Sequence, residues 1–435
     1  MRPHHRRQSR RGPGWLAISF ALLTASACGL AAGVLGGESL MVAMGLTVVE
    51  PPSLPGRSPK PPQVAFLPTL HDSLNVLFMA TDVDYTYKDG KRVMGVRGRT
   101  DTMMVVRLDP QTNQARMLSI PRDTRVSIPR HGHAKINAAN PYGGPELAVQ
   151  VASDFLGLNI DRYLLVNTRG VIQLVDALGG VDVFVPKDLH YDDYAGKLHI
   201  HLTKGHNHLD GQKAHDFLRF RHDENGDIGR VQRQQAFLQA LLKQYLNPIN
   251  LLKTPQLLSA ARENLVTNLS NDELLQIVGW GRQLKQEQVQ LAMVPGTDAM
   301  IGGGWYWVAD EAGTRRVVSS FLTGEEVPAA KNPQAYRVAI VDGVGDRVAA
   351  RRLRQTLLGA GYTSIAIEGV APEQGQPETQ IIAQNADVAG AQAVASALGL
   401  GKVVVAATGN LRADFTIVMG KDWVGRETAP QAQTP

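Results

Sequence analysis

The chain has 435 residues, of which 43% are hydrophobic and 20% are charged, and this composition excludes an intrinsically disordered protein. Its 45 lysines and arginines stand against 40 aspartates and glutamates, an excess too small to predict nucleic-acid binding along the chain. The single cysteine, Cys28, excludes a disulfide framework and a cysteine-based metal site within one chain.

A basic N-terminus precedes an uncharged apolar segment. Five arginines occur within the first eleven residues, and residues 15–37 are long enough to cross a bilayer as a helix. Positive charge on a short N-terminal flank keeps that end in the cytoplasm. The sequence therefore predicts a cytoplasmic tail at residues 1–14, a transmembrane anchor at residues 15–37 and an extracytoplasmic body on the cell membrane.

A cleaved signal peptide is the competing interpretation of this segment, because small residues precede Cys28 and suit a peptidase. The apolar run continues past that point, which favours an uncleaved anchor. Lipidation of Cys28 is disfavoured because Ala25, three residues before it, is not a large aliphatic residue. The proline-rich residues 38–70 predict an extended linker between membrane and body.

Strand and helix patterns alternate in the first predicted folded unit, residues 71–324. The strand patterns are NVLFMAT, TDTMMVVRLD, QARMLSI, YLLVNT, VDVFVP and QVQLAMVPG, and GGGWYWVADEAGTRRVVSSFLTG predicts a strand and then a helix. The other helical patterns are PELAVQVASDFLGL, TRGVIQLVDALGG and residues 254–265 and 271–284. This alternation predicts an α/β fold with a central sheet covered by helices on both sides.

A second alternating unit covers residues 336–422 and predicts a small α/β domain. It contains no cluster of titratable residues, so we interpret it as a binding or spacing module. Residues 423–435 are predicted to be a disordered tail.

The stretch of residues 217–244 concentrates arginines and then becomes amphipathic. Its charged residues are Arg219, Arg221, Asp223, Asp227, Arg230 and Arg233. The predicted buried stripe of the following helix consists of Val231, Leu238, Leu241, Leu242 and Tyr245. Guanidinium groups match phosphate oxygens two at a time, so arginines at the start of a helix predict a di- or polyphosphate clamp. A solvated basic face with surface ion pairs is the alternative.

Four further polar clusters follow strands or turns of the first unit. They are Asp82 with Asp84; Arg97, Arg99 and Asp101; Arg122 with Asp123; and Lys135 with Asn137. Each is by itself more typical of a turn, a helix cap or a surface ion pair. Because loop ends at one edge of an α/β sheet are where ligands usually bind, their number and order favour a common site.

The succession GRTDTMMVV, SIPRDTRVSIP, KINAAN, ALGGVDVFVP, LDGQKAHDFLRFR and GRVQRQQ resembles the LytR-CpsA-Psr family over about residues 71–245. The later GGWYWVADE resembles the end of that domain. Residues 336–420 resemble the small C-terminal domain often attached to these proteins. The resemblance implies a central mixed sheet flanked by helices on both faces.

The resemblance also implies an enzyme that moves a glycopolymer from a polyprenyl-pyrophosphate carrier to peptidoglycan through a phosphodiester. It implies that Asp82 and Asp101 are associated with Mg²⁺. The implied pyrophosphate-binding residues are Arg99, Arg122, Arg219, Arg221 and Arg230, with Gln234 at a polar position of the same motif. Asp84 stands where the family commonly has an arginine, so either another arginine such as Arg97 replaces it or the head-group contacts differ.

The chemistry of these residues fits such a reaction. Mg²⁺ and arginines stabilise the charge that grows on a leaving phosphate, and carboxylate oxygens suit Mg²⁺. Catalysis is expected from Asp82, Asp101 and Arg122, and either aspartate is a candidate for the base that takes the proton of the sugar hydroxyl. A pyrophosphatase acting on the same carrier and a non-catalytic, wall-associated regulator are the alternatives. An exported body argues against a nucleic-acid partner.

Overall fold

The computed structural model describes residues 68–81, 85–88, 91–94, 97–193, 198–220, 233, 236–241, 244, 264–281, 283–325, 329–371 and 374–426. The predicted tail and anchor lie outside this part of the chain, as do Asp82, Asp84, Arg221, Arg230 and Gln234. No helix within the described ranges is long and apolar enough to cross a membrane.

The first unit contains strands, short hairpins and helices in alternation. Its strands are β1 (Leu74–Thr81), β2 (Tyr85–Lys88), β3 (Lys91–Met94), β4 (Thr100–Asp109), β5 (Gln114–Ile120), β6 (Arg125–Ile128), β7 (Gly132–Lys135), β8 (Arg162–Asn167), β9 (Val181–Val185), β10 (Leu189–Asp193), β11 (Leu198–Leu202), β12 (Gly205–Leu209), β13 (Leu265–Thr267), β14 (Val289–Met293), β15 (Gly296–Ile301) and β16 (Gly304–Ala309). Its α-helices are α1 (Ala139–Leu156), α2 (Thr168–Leu178), α3 (Gly211–Arg219), α4 (Asn271–Gly281) and α5 (Glu311–Arg316). Short 3₁₀ turns at Ile136–Ala138 and Gln286–Gln288 precede α1 and β14, and a π-helical segment, Val317–Thr323, continues α5.

A six-stranded mixed sheet in the order β13-β8-β1-β4-β5-β14 forms the centre of this unit. β1 pairs with β8 and β14 with β5 in parallel, whereas β4 is antiparallel to both β1 and β5, and β13 to β8. The predicted mixed sheet is therefore confirmed.

Both faces of this sheet are buried. Val76 and Phe78 of β1 point to one face, with side chains of α2, α3 and α4, while Leu77 and Met79 point to the other, with α1 and the π-helical segment. All four side chains have no exposed surface. A strand that is covered on both sides has a continuous apolar sequence rather than alternating apolar and polar residues. The segment NVLFMAT has such a sequence and therefore predicts a strand at this position. The expected helices on both faces are confirmed.

Capping side chains and a glycine determine where α2 and α3 begin. Asn167 caps α2 and accepts from the Gly170 amide at 2.9 Å, and Asp210 caps α3 and accepts from the Lys213 amide at 2.8 Å. A Cβ at Gly211 would collide with the carbonyl oxygen of Ile172 in α2, so the LDG motif allows α3 to pack closely against α2.

Three sequence predictions need correction. Leu265, placed in a helical pattern at residues 254–265, begins strand β13, and residues 254–263 lie outside the described ranges. α1 begins at Ala139, six residues before the predicted pattern, and kinks at Gly144, whose φ is 81°. The amphipathic helix after the arginines buries Leu238 and Leu241 as predicted, but it also buries Phe237, which the stripe had omitted.

The second unit is a five-stranded sheet in the order β18-β17-β21-β19-β20. Its elements are β17 (Arg337–Asp342), α6 (Arg347–Gly359), β18 (Ser364–Val370), β19 (Gln380–Ala383), α7 (Val388–Leu398), β20 (Lys402–Val405), β21 (Phe415–Met419) and α8 (Lys421–Gly425), after a short 3₁₀ turn at Pro333–Ala335. The predicted small α/β domain is confirmed.

The start of the predicted disordered tail belongs to this domain. Trp423 lies in α8, and its indole Nε1 donates to the carbonyl of Ala349 in α6 at 3.1 Å. Residues 427–435 lie outside the described part of the chain. An apolar side chain with a hydrogen-bond partner thus extends the folded unit to at least Gly425.

The two units meet along the edge strand of the central sheet. The Met293 amide of β14 donates to the carbonyl of Gln384, just after β19, at 3.0 Å. Ala386 packs with the hydrophobic cluster on the α1 side of the central sheet. This contact covers backbone groups at an edge that would otherwise remain open for strand pairing.

Candidate functional site at one edge of the central sheet

The register of the sheet brings several motif residues together at one edge, the one formed by the ends of β1, β5 and β8 and the start of β4. Thr81, the last residue of β1, is opposite Thr100 at the start of β4 and Asn167 at the end of β8. Ile120, the last residue of β5, is opposite Met103 of β4. Asp101 and the loop that follows β5 therefore share this edge, which is also where the chain continues from β1 to Asp82.

Asp101 and Arg122 form a buried ion pair at this edge. Nη1 of Arg122 donates to Oδ1 of Asp101, and the two side chains are 15% and 1% exposed. Burial excludes water from this pair and strengthens the electrostatic interaction between the charges. The structure thus joins the TDT motif of β4 to the PRD motif after β5.

The same pair continues into a row of alternating charges. Nε of Arg122 lies 3.5 Å from Oδ2 of Asp123, whose Oδ1 lies 2.8 Å from Nζ of Lys135. Lys135 also lies 5.7 Å from the ring centroid of Tyr306. Asp101, Arg122, Asp123 and Lys135 thus form one row of alternating charges.

Backbone hydrogen bonds hold the loop that carries Arg122. The Asn137 amide donates to the Arg122 carbonyl at 3.2 Å, and the Trp307 amide of β16 donates to the Asp123 carbonyl at 3.0 Å. Thr124 closes the turn through its hydroxyl, which donates to the Pro121 carbonyl at 2.6 Å. The KINAAN and GGWYWVADE segments therefore position this loop from two sides.

A second loop of the site is held by a buried asparagine. Nδ2 of Asn140 donates to the carbonyl of Gly98 at 2.7 Å. Gly98 is buried, whereas its neighbours Arg97 and Arg99 are exposed. The asparagine thus fixes the backbone between two guanidinium groups that extend into solvent, a role of the KINAAN motif that the sequence analysis had not assigned.

Three buried oxygen atoms occur on β4 and in the KINAAN segment. Among the described residues, the hydroxyls of Thr100 and Thr102 and Oδ1 of Asn137 are buried without a hydrogen-bond partner. Threonines on either side of Asp101 in a strand point to the opposite face, the one that packs against α2 and α3. On the Asp101 side, the carboxylate is the oxygen ligand type that suits Mg²⁺. Within the described ranges, no three His, Cys, Asp or Glu side chains converge on one point.

Comparisons with known proteins identify the family. A model described as the LytR_cpsA_psr family matches residues 57–320, and a model described as LytR cell envelope-related transcriptional attenuator matches residues 335–423. The chain belongs to the LytR-CpsA-Psr family.

Two curated relatives of this LytR-CpsA-Psr protein carry the name polyisoprenyl-teichoic acid–peptidoglycan teichoic acid transferase. TagV of Bacillus subtilis is 33% identical over 250 residues, which are 56% of this chain and 62% of TagV. TagU of Oceanobacillus iheyensis is 33% identical over 260 residues, which are 58% of this chain and 76% of TagU. The crystal structure of protein gbs0355 from Streptococcus agalactiae is 26% identical, with a TM-score of 0.51 over 58% of this chain and 89% of that one.

The arginines of this family member differ in their surroundings. Arg219 is half-buried in the last turn of α3, and Arg233 is only 6% exposed. Nη2 of Arg233 donates to the carbonyl of Phe220 at 2.5 Å, and its guanidinium carbon lies 5.3 Å from the centroid of the Phe220 ring. Arg233 is therefore buried rather than solvated, and it holds the backbone that follows α3.

A buried polar group inside α3 supports the turn that carries Arg219. Nδ1 of His215 lies 3.0 Å from Oδ1 of Asp216, which also accepts from Nε2 of Gln212 at 2.9 Å. His215 and Asp216 are buried, and the Asp216 carbonyl accepts from the Phe220 amide at 3.1 Å. The sequence signal for this group was the HD pair within LDGQKAHDFLRFR.

Proposed function

We propose that this LytR-CpsA-Psr protein is a phosphotransferase that moves a glycopolymer from a polyprenyl-pyrophosphate carrier onto a sugar hydroxyl of peptidoglycan. The observation that carries the proposal is the buried Asp101–Arg122 pair at the sheet edge where β1 leads into Asp82. The names of TagV and TagU, which are transferases of a polyisoprenyl-linked wall polymer, support it.

In the proposed reaction the acceptor oxygen attacks the phosphorus that carries the glycopolymer. The bond between this phosphorus and the bridging oxygen breaks, polyprenyl phosphate leaves, and the hydroxyl proton passes to a carboxylate, Asp82 or Asp101. Arg122 is expected to share its guanidinium between Asp101 and the pyrophosphate, because its charge is needed where negative charge develops. Arg99, Arg219, Arg221 and Arg230 are proposed as further pyrophosphate ligands, with Gln234 beside them.

The hydroxyls of Thr100 and Thr102 extend this proposal. They are buried, and among the described residues neither has a hydrogen-bond partner. An unsatisfied buried hydroxyl costs about 1–3 kcal/mol. A phosphate oxygen bound on the α2–α3 face of β4 would satisfy them.

Mg²⁺ is proposed as the cofactor of the reaction, with Asp82 and Asp101 as its protein ligands. The buried carboxylate of Asp101 is a ligand type that suits a hard cation. When bound, Mg²⁺ would offset charge on the pyrophosphate as it is cleaved. Neighbouring residues position the ligand: Arg122 holds Asp101 in place, and Lys135 holds Asp123 beside Arg122.

We further propose that the protein is anchored in the cell membrane by residues 15–37, with its body on the outer side. The arginines before this segment support that orientation. A polyprenyl carrier is itself embedded in the membrane, so an anchor keeps the transferase near its donor.

A transfer assay tests the proposal. The full chain is incubated with a radiolabelled polyprenyl-pyrophosphate glycan, peptidoglycan and Mg²⁺, and both wall-bound label and released polyprenyl phosphate are measured. We expect the two products in equal amounts, loss of both in EDTA, and recovery with added Mg²⁺. Arg122→Ala should abolish transfer, whereas Arg125→Ala, an exposed arginine of the adjacent strand, serves as the matched control.

The products also separate this function from its alternatives. Free phosphorylated glycan without wall-bound label would identify a pyrophosphatase. Absence of either product from the wild-type protein, or full transfer by Arg122→Ala, would contradict the proposed enzyme and favour a non-catalytic role.

A further inference from the structure

The β10–β11 hairpin presents metal-ligand side chains on one face. His190 of β10 is opposite His201 of β11, and Asp192 is opposite His199. All four side chains are exposed, while Ile200, between the two histidines of β11, has no exposed surface. Strand alternation therefore places three imidazoles and one carboxylate together on the solvent side of a separate two-stranded sheet.

The four side chains lie within hydrogen-bond distance of one another in sequence, from His190 through His201 and Asp192 to His199. Nδ1 of His190 lies 3.4 Å from Nδ1 of His201. Oδ1 of Asp192 lies 3.1 Å from Nε2 of His201 and 2.7 Å from Nδ1 of His199. Both imidazoles therefore share one carboxylate oxygen of Asp192.

A carboxylate accepts hydrogen bonds and donates none, and the contact with Asp192 therefore selects the tautomer of His201. Its Nε2 must carry the proton that faces Asp192, so in the neutral ring Nδ1 has the lone pair. That lone pair faces Nδ1 of His190 across the hairpin. A histidine whose far nitrogen donates to a carboxylate is the usual arrangement of a metal ligand, because the carboxylate orients the ring and raises its basicity.

We propose that His190 and His201 bind a divalent transition-metal ion such as Zn²⁺ through their Nδ1 atoms, with Asp192 orienting His201 and water completing the coordination. Tetrahedral Zn²⁺ with Zn–N bonds of about 2.0–2.1 Å separates two ligand nitrogens by about 3.4 Å. The observed separation of the two Nδ1 atoms is 3.4 Å. On binding, any proton on His190 Nδ1 moves to its Nε2 or to solvent.

This site differs in chemistry from the proposed Mg²⁺ site. Imidazole nitrogens suit Zn²⁺, Cu²⁺ and Ni²⁺, whereas Mg²⁺ and Ca²⁺ prefer oxygen ligands. Two protein ligands across a hairpin would link β10 to β11 without requiring three side chains to converge. The inference does not depend on the transferase proposal, since it uses neither Asp101 nor Arg122.

The full chain is purified without a histidine tag, and its metal is removed with EDTA. Zn²⁺ is then titrated into a mixture of the protein and a chromophoric chelator that competes for the ion. We expect the double variant His190→Ala/His201→Ala to bind one Zn²⁺ fewer than the wild type. Asp192→Asn should weaken that same equivalent about tenfold, as expected for loss of an orienting carboxylate. A hundredfold excess of Mg²⁺ should not displace the ion.

His206 and His208 on the neighbouring strand β12 provide the matched control. His206→Ala/His208→Ala should retain the full Zn²⁺ stoichiometry. Circular dichroism of both double variants in EDTA verifies folding, and ¹⁵N shifts of His201 report whether Nδ1 or Nε2 carries the metal. Equal Zn²⁺ stoichiometry in the wild type and His190→Ala/His201→Ala, or binding through Nε2 of His201, would overturn the proposal.

Discussion

The backbone amide of Trp307 donates to the carbonyl of Asp123 at 3.0 Å, so the hairpin formed by β15 and β16 holds the loop that carries Arg122. Gly296, at the start of β15, makes this possible, because a Cβ there would lie 2.5 Å from Nε1 of Trp307 and 2.5 Å from the carbonyl oxygen of Val308. The GGWYWVADE motif therefore acts on the site through its backbone.

We predict that Gly296→Ala displaces Trp307 and, with it, the loop of Arg122. The free energy of unfolding should fall by about 1–3 kcal/mol, as in other overpacked sites. Transfer activity should fall at temperatures where the variant is still folded. Urea unfolding and the transfer assay measure the two effects.

Gly359→Ala in α6 is the matched control, because a Cβ there has nothing within 4 Å. It should stabilise the second unit by up to about 1 kcal/mol and leave transfer unchanged. Unchanged stability and activity in Gly296→Ala would show that the hairpin does not position the loop.

A second prediction concerns the Asp101–Arg122 pair itself. Arg122→Ala leaves the buried Asp101 carboxylate without this partner, which should reduce the free energy of unfolding by about 3 kcal/mol. The double variant Asp101→Asn/Arg122→Ala should recover part of that loss, because an amide is cheaper to bury than a carboxylate. A double-mutant cycle in urea measures the coupling; additive single effects would mean that the pair contributes no coupling energy.

A third prediction separates a structural arginine from a proposed substrate-binding one. Arg233→Met should lower the free energy of unfolding by about 1–3 kcal/mol, because the Phe220 carbonyl loses its charged donor. It should leave KM for the glycolipid within twofold. Arg219→Ala should instead raise KM with little change in stability. The reverse pattern would assign the phosphate contact to Arg233.

The central sheet was predictable because its strands are apolar runs separated by turn residues. β1 and β4 are buried on both faces, so their hydrophobicity identified them without any knowledge of their neighbours. The strands β6 and β7 were not predicted. Each has only four residues and includes an exposed polar residue, Arg125 or His133, so neither forms an apolar run long enough to recognise in the sequence.

The site was predictable only as a set of motifs. Residue types in TDT and PRD suggested a charged ligand, but the pairing of Asp101 with Arg122 depends on the exact register of β4 against β5 and on the course of the loop after β5, which residue types do not specify. The contact of Arg233 was not predictable for a similar reason, since the carbonyl of Phe220 that it binds lies thirteen residues earlier in the chain. The roles of Asp82, Arg221, Arg230 and Gln234 stay predictions.

The last prediction concerns pH and the ALGGVDVFVP motif. Nδ1 of His208 lies 2.7 Å from Oδ1 of Asp182, and its Nε2 lies 2.9 Å from the carbonyl of Gly179. Both partners are acceptors, so only the imidazolium, with two N–H donors, makes both bonds. The hydrogen bond with Asp182 raises the pKa of His208 above its ordinary value, more than burial lowers it.

A raised pKa in the folded state stabilises the fold in acid. The contribution of His208 should be fully present below its unfolded pKa of about 6.5 and should be lost as pH rises through the higher folded value. An NMR titration of the His208 Cε1 proton should give a pKa above 6.5, and Asp182→Asn should lower it. A pKa at or below 6.5 in the wild type, or one that Asp182→Asn leaves unchanged, would show that this carboxylate does not hold the imidazolium against the end of α2.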